Sequence, residues 1–220
     1  MTDKKATSPR PALNKARALQ AAVALADRDG LGALTMRRLG AELGFEAMAL
    51  YKHIADKEEL LNGMVELVIS EIEIPDEGAD WKEAMRRRAT SARKVLTRHS
   101  WAIGLLESGA STGPSTFRYL NAIIGNLRSA GFSLENAAHA FWLLDSYVYG
   151  QVIQESNLAF NTSEQMTETA ASTLELVSPA DFPHLVAMYE DALVADYSVD
   201  TEFEFGLELI LSGLEELRAT

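Results

Sequence analysis

Cysteine is absent from the 220 residues, which removes disulfides, thiolate metal sites and thiol nucleophiles from consideration. No apolar run approaches the roughly 20 residues that a membrane-spanning helix requires. The period-two alternation of half-buried strands is missing throughout, and no internal repeat is visible. Metal-binding His-Glu-x-x-His, P-loop and glycine-rich dinucleotide patterns are likewise missing. The four histidines, at 53, 99, 139 and 184, lack ligand spacing, so neither a metal nor another cofactor is expected. The acidic runs read as solvated helix faces rather than paired catalytic carboxylates. An enzyme therefore has little support. Residues 1–10 have no apolar core, so residues 1–12 read as a flexible polar arm rather than a signal peptide, and a cytoplasmic location is expected.

Ordinary hydrophobic content, 47%, and 24% charged residues describe a soluble globular chain. Its net charge of -12 argues at first against a nucleic-acid partner. The distribution reverses that impression. Residues 1–57 hold ten Lys or Arg against six Asp or Glu, a balance of +4; the rest hold ten against twenty-six, a balance of -16. A basic module on an acidic body is the asymmetry of a DNA reader attached to a separate domain.

Helical signals are the only secondary-structure signals along the chain. Asn14 can cap a helix ending near Asp29, with Leu19, Ala22, Val23 and Ala26 inward and Gly30 as its stop. Thr35 can cap a second helix in which Met36, Leu39 and Leu43 recur at helical spacing, leaving Arg37 and Arg38 outside. Gly44 supplies its left-handed stop and Phe45 a buried anchor, and residues 46–54 predict the next helix. Two helices set at an angle by such a turn make a helix-turn-helix, whose second helix enters the major groove. Asp56-Lys-Glu-Glu59 is a capping box opening a helix to about residue 74, where Pro75 ends it. A boundary is expected at 76–80, giving domains at 13–74 and 80–220. Beyond it, helices are predicted over about 80–98, 101–107, 114–131, 133–155, 179–197 and 201–217. The polar, Thr/Glu-rich residues 157–178 are predicted to be a partly mobile loop. The fold class is all-α: a three-helix helix-turn-helix reader plus a larger helical C-terminal domain.

Residues 35–57 resemble the DNA-binding domain of the tetracycline-repressor family. The supporting run is Leu50-Tyr51-Lys52-His53 followed by a polar turn with Lys57 and a helix, and the match extends over residues 13 to about 72. The segments Ala130-Gly-Phe-Ser-Leu-Glu-Asn-Ala137 and 203–216 resemble the effector-binding domain of the tetracycline-repressor subgroup. The resemblance implies a ligand-responsive regulator, most simply a repressor, that binds a palindromic operator as a homodimer and is released by a small molecule. The alternative is a helical enzyme or co-regulator that keeps the fold without binding DNA.

Carried onto this sequence, the resemblance places Arg37 at a base edge and Ala47 and Met48 at the base-reading positions. Apolar side chains there can sense thymine methyls but make no bidentate hydrogen bond. Glu46 either accepts from cytosine or caps the recognition helix, and the cap is favoured. Thr35, Tyr51, Lys52, His53 and Lys57 are assigned to phosphates; Arg38 is divided between DNA contact and a solvated charge.

An effector pocket is expected where polar residues fall among large aromatics: His99, Trp101, Phe117, Asn121, His139, Trp142, Asp145, Tyr147 and Gln151. In the tetracycline repressors a histidine helps to hold drug-bound magnesium just before a loop containing Gly and Pro. Residues 103–114 have no histidine, which argues against a tetracycline–magnesium ligand. For dimerisation, Phe203, Leu207, Ile210, Leu214 and Leu217 form a seam with Gly206 and Gly213 beside it, facing a stripe that includes Phe141 and Val148. Two such helix pairs would build a four-helix bundle between subunits; the competing possibility is that the seam packs within one subunit.

Overall fold

The computed structural model describes residues 12–218 except 77, 110–112, 159–161 and 195–197; the expected arm therefore lies almost entirely outside the described residues. Among those described there are eleven α-helices, one 3-10 turn and no strand. In chain order the helices are α1 (Lys15–Asp29), α2 (Met36–Leu43), α3 (Ala47–Leu50), α4 (Lys57–Ser70), α5 (Trp81–Arg98) and α6 (Trp101–Glu107). There follow α7 (Pro114–Ser129), α8 (Leu134–Asn157), α9 (Ser163–Leu174), α10 (Pro183–Ala192) and α11 (Val199–Arg218). None of them is long and apolar enough to cross a membrane.

The chain divides into two compact units. The first holds residues 1–71 and 101–117, the second 72–100 and 118–220. The cut near Glu71 lies close to the sequence boundary, but residues 101–117 group with the reader rather than with the body. Helix α7 begins in the first unit and continues into the second.

Caps explain where the reader's helices start. Oxygen atoms of Asn14, Thr35 and Asp56 accept from the Arg17, Arg38 and Glu59 amides, at 2.8, 3.1 and 2.8 Å. Each cap satisfies an orphan donor of the first turn. Leu19, Leu25, Leu34, Leu39, Leu50, Ile54, Leu60 and Met64 then close one apolar core among α1 to α4. Trp101 packs against this core and donates from Nε1 to Asp27 at 2.7 Å, which fastens α6 to α1.

In the second unit α5, α8 and α11 pack together. Trp81, Met85, Leu96, Leu144, Val148, Phe203, Leu207 and Leu211 fill the space between them. Trp81 meets Phe132 edge to face at 4.9 Å. Helices α9 and α10 form a further pair. The first of these corrects the expected loop. Its apolar periodicity is weak because only Ala170 is fully buried, yet Thr162 caps it. Thr167, Thr169, Ser172 and Thr173 return their hydroxyls to carbonyls four residues back, so polar side chains lie along the helix instead of disrupting it.

Candidate nucleic-acid interface and effector body

The reader's turn is set by two glycines. Gly44 adopts φ 76°, ψ 31°, and the amides of Gly44 and Phe45 donate to the Ala41 and Gly40 carbonyls at 3.1 and 2.8 Å. That pair is the Schellman stop, and the left-handed residue in it has no Cβ to clash. Gly40 has a different role. A Cβ on it would stand 2.7 Å from the Phe45 carbonyl oxygen and 3.2 Å from the Ala47 amide nitrogen. The backbone leading into α3 therefore crosses α2 at a distance that only glycine permits.

This crossing holds α3 against α2 with Leu50 and Ile54 buried beneath it. The recognition helix is shorter than the predicted 46–54. It ends at Leu50, and the His53 and Ile54 amides both return to the Leu50 carbonyl, at 2.8 and 3.0 Å. Met48 is 73% exposed and Tyr51 44%, while Ala47 is half-buried. Thr35, Arg37, Lys52, His53 and Lys57 are exposed as well. The side chains expected to reach DNA are thus outside, and the apolar residues between them are inside.

Glu46 departs from its favoured role, and Arg38 is a paired surface charge. Glu46 occupies the N-cap position of α3 but its side chain makes no capping bond, so the favoured role as a cap is not seen. Extended backbone at Glu46, with ψ 147°, marks the start of the helix without help from the carboxylate. Arg38 donates from Nη2 to Asp29 at 2.6 Å, and Arg28 grips Glu42 with both terminal nitrogens. Arg38 is therefore ion-paired within its own chain, whereas Arg37 makes no ion pair among the described residues.

Helix α4 leaves the reader carrying a polar junction. Glu66 accepts from the Ser115 and Thr116 amides at 2.6 and 3.1 Å and from the Thr116 hydroxyl at 2.5 Å. A carboxylate from one helix thereby closes the amino end of α7. Burial alone would raise the Glu66 pKa, but these hydrogen bonds outweigh it and hold the carboxyl below its ordinary value.

The body contains a buried ionic cluster. Arg88 on α5 is 1% exposed and pairs with Asp145 on α8. Its Nε donates to the Tyr119 hydroxyl at 2.8 Å, and the Tyr149 hydroxyl donates to the other Asp145 oxygen at 3.2 Å. Of the Arg88 nitrogens, Nη1 is buried without a hydrogen-bond partner. Arg88 is not among the candidate residues, although its signal is present in the sequence. It occupies the apolar register of Trp81, Ala84, Met85, Ala89 and Ala92, where a cation at helical spacing is out of place.

A cavity of about 620 Å³ opens at the other end of α5, where Arg93, Thr97, Val152, Glu155 and Asp200 lie on its wall. Arg93 donates to Glu155 and Asp200, both at 2.7 Å. Burial opposes its charge, but the two carboxylates prevail and keep its pKa raised. A second cavity, about 460 Å³, includes Gln151 and Glu202.

The predicted effector residues do not converge on one site. In the first unit, Trp101 is tied to Asp27, and Phe117 is 58% exposed. Asn121 borders a separate cavity with Pro75 and Asn126. His139 and Trp142 project outward from α8, and His99 ends α5 in a buried position. Tyr147 stacks on Phe203 and donates to its carbonyl at 2.9 Å, while Gln151 donates to the Tyr147 hydroxyl at 3.1 Å. Helical rotation separates these neighbours in sequence, because residues three or four apart share a face but those between them do not. Only Asp145 reaches the buried ionic cluster.

The predicted dimer seam is corrected in the same way. Val148, Phe203, Leu207 and Leu214 are buried by the packing of α8 on α11 within the chain. Gly206 admits the Tyr147 ring, which a Cβ there would overlap. Phe141, Ile210 and Gly206 are half-buried, and only Gly213 and Leu217 stay exposed. The outward apolar surface of the pair includes Leu134, Trp142, Leu143 and Ile153 on α8 and Phe205, Leu209 and Leu217 on α11.

Residues 18–64 match the family described as bacterial regulatory proteins, tetR family, and residues 74–218 match the tetracyclin repressor-like C-terminal domain. The HTH-type transcriptional repressor DrrR1 of Streptomyces coeruleorubidus is 30% identical over 220 residues, spanning 96% of this chain and 80% of that protein. The Escherichia coli tetracycline repressor protein of class C is 27% identical, covering 94% of this chain and 93% of its own. Among solved structures, ActR of Streptomyces coelicolor in complex with actinorhodin superposes with a TM-score of 0.78 at 27% identity, over 96% of this chain and all of that one. With both the reader and the body matched, the chain belongs to the tetracycline-repressor family of bacterial regulatory proteins.

Proposed function

We propose that the chain is a ligand-responsive transcriptional repressor that binds a palindromic operator as a homodimer and leaves it when a small molecule occupies the body. The observation carrying this reading is the glycine-limited crossing at Gly40, which seats α3 with Met48, Tyr51, Lys52 and His53 outward. Arg37 reads a guanine edge through its fork. Met48 contacts a thymine methyl, and Ala47 leaves room for it. Thr35, Tyr51, Lys52, His53 and Lys57 hold phosphates and fix the register.

One reader covers only a few base pairs, so symmetry doubles the contacts on a palindrome. The surface that meets the second copy is the face bearing Trp142, Phe205 and Leu209, which are 68%, 65% and 60% exposed. Large apolar side chains at that exposure, on two adjacent antiparallel helices, suit a four-helix bundle across a twofold axis. Gly213, with nothing within 4 Å of a Cβ built on it, leaves that surface open to a close approach.

Relatives named as repressors and the ActR–actinorhodin complex support a small-molecule signal. The effector acts by binding one of two reader spacings more tightly than the other, since only differential affinity shifts an equilibrium. Helix α4 follows the recognition helix, and its Glu66 holds the start of α7, which carries the chain into the body.

A gel shift with the intergenic DNA flanking the gene, in parallel with sedimentation, tests the reading. Retarded DNA that is lost with rising salt, from a dimeric protein, is the expected result. A monomer, or no shift even at low ionic strength, removes it.

A further inference from the structure

The buried cluster around Arg88 has one guanidinium nitrogen left over. Its guanidinium spends Nη2 on Asp145 and Nε on the Tyr119 hydroxyl, while Nη1 is buried and unpartnered. A buried charged donor without an acceptor costs more than a neutral one, so the position favours any oxygen that can reach it. The rings of Tyr119 and Phe141 lie 5.4 and 5.9 Å from its Cζ. Phe141 and Tyr149 are each half-buried and border the cluster. The partly exposed rings of Phe141 and Tyr149 give an incoming flat molecule apolar surface to pack on.

Charge selects the chemistry of that molecule. Arg88 and Asp145 already neutralise each other, and the Tyr149 hydroxyl supports the carboxylate. A second anion would leave the buried cluster negative, whereas a carbonyl oxygen adds an acceptor with no charge to desolvate. We propose that Arg88 is the polar anchor of the effector site, and that its Nη1 receives the carbonyl oxygen of a flat, uncharged aromatic ketone or quinone. The proposal deepens the ligand-responsive reading and rests on it. Asp145 and Tyr119 act as positioning residues, holding the guanidinium so that Nη1 points away from both.

Three tricyclic probes separate the possibilities: 9-fluorenone, fluorene without the oxygen, and fluorene-4-carboxylate. Equilibrium dialysis against the full-length protein should find fluorenone bound at least about tenfold more tightly than either of the others, the value of one hydrogen bond to a charged donor. In R88M/D145L, where an apolar pair of similar bulk replaces the ion pair, that preference should vanish while fluorene binding persists. Should this variant fail to melt cooperatively, R88K serves in its place, since an ammonium lacks the fork and should also lose the preference.

Equal binding of fluorenone and fluorene, tighter binding of the carboxylate, no binding of any probe, or a preference that survives both variants would each overturn the proposal. Operator retention is measured on the same preparations. Loss of DNA binding there refutes the repressor reading without touching the dialysis result. A probe preference that never releases DNA refutes the coupling and leaves Arg88 as a binding residue.

Discussion

Thr116 gives Glu66 both its amide, at 3.1 Å, and its hydroxyl, at 2.5 Å, so one carboxylate from α4 closes the first turn of α7. Ser115 adds its amide at 2.6 Å, and its side chain also bonds the carboxylate. The E66A variant should lose about 2 kcal/mol, the scale of hydrogen bonds to a charged acceptor left unmade. E66Q should lose less at neutral pH.

The same junction gives a pH dependence of definite sign. Burial raises the Glu66 pKa, but the Thr116 and Ser115 hydrogen bonds lower it further, leaving the folded value below the ordinary 4.5. A depressed carboxylate stabilises the fold above its unfolded pKa, and that contribution is lost as pH falls through the folded value. The Tm difference between wild type and E66Q should hold steady from neutral pH to about 5 and shrink below about 4.5, which a melting series in acetate and citrate buffers would read. A difference that grows on acidification contradicts the assignment.

At Gly40 two effects oppose one another. Alanine in a helix interior is favoured over glycine by roughly 1 kcal/mol. Its methyl would stand 2.7 Å from the Phe45 carbonyl, backbone that cannot yield without moving α3, and such overpacking costs about 1–3 kcal/mol. G40A should therefore lower the Tm and weaken operator binding together. A higher Tm would mean that the crossing is looser than described.

Lys57 is exposed at the first position of α4, where the helix dipole disfavours a cation. A phosphate contact explains its placement better than stability does. K57A should leave the Tm unchanged or slightly raised and weaken DNA binding. The log–log salt slope should also fall by about one for each phosphate that Lys57 neutralises in a half-site. An unchanged slope removes Lys57 from the interface.

Leu209 and Leu207 test which side of α11 meets a second copy. Leu209 is 60% exposed and Leu207 is 1% exposed. L209E should yield a folded monomer by sedimentation, because a charge is placed in the proposed interface and nowhere else. L207E should lower the Tm steeply, since it buries a charge without a partner. A dimer that survives L209E excludes that face.

Much of the reader is legible because its signals are local. Asn14, Thr35 and Asp56 each cap a helix within three residues of themselves, and Gly44 ends one through its own backbone angle. Met36, Leu39 and Leu43 are buried as their spacing requires. Gly40 carries no mark of the crossing point, since nothing in its neighbours states how closely α3 will approach. In the body, 163–174 reads as a loop because a helix with a single fully buried alanine has almost no periodicity to detect.

By itself the sequence determined the all-helical class, the starts of the capped helices of the reader, the basic reader on an acidic body, and which side of each strongly periodic helix is apolar; α9 was not among them. Those properties follow from hydrogen bonds and steric preferences that operate within one or two turns. Only the tertiary structure decided what each apolar side packs against, turning Phe203, Leu207 and Leu214 inward to α8 and leaving Phe205 and Leu209 outside. It also joined Arg88 to Asp145 across 57 positions of chain, an encounter that no local spacing encodes because it depends on how α5 and α8 meet.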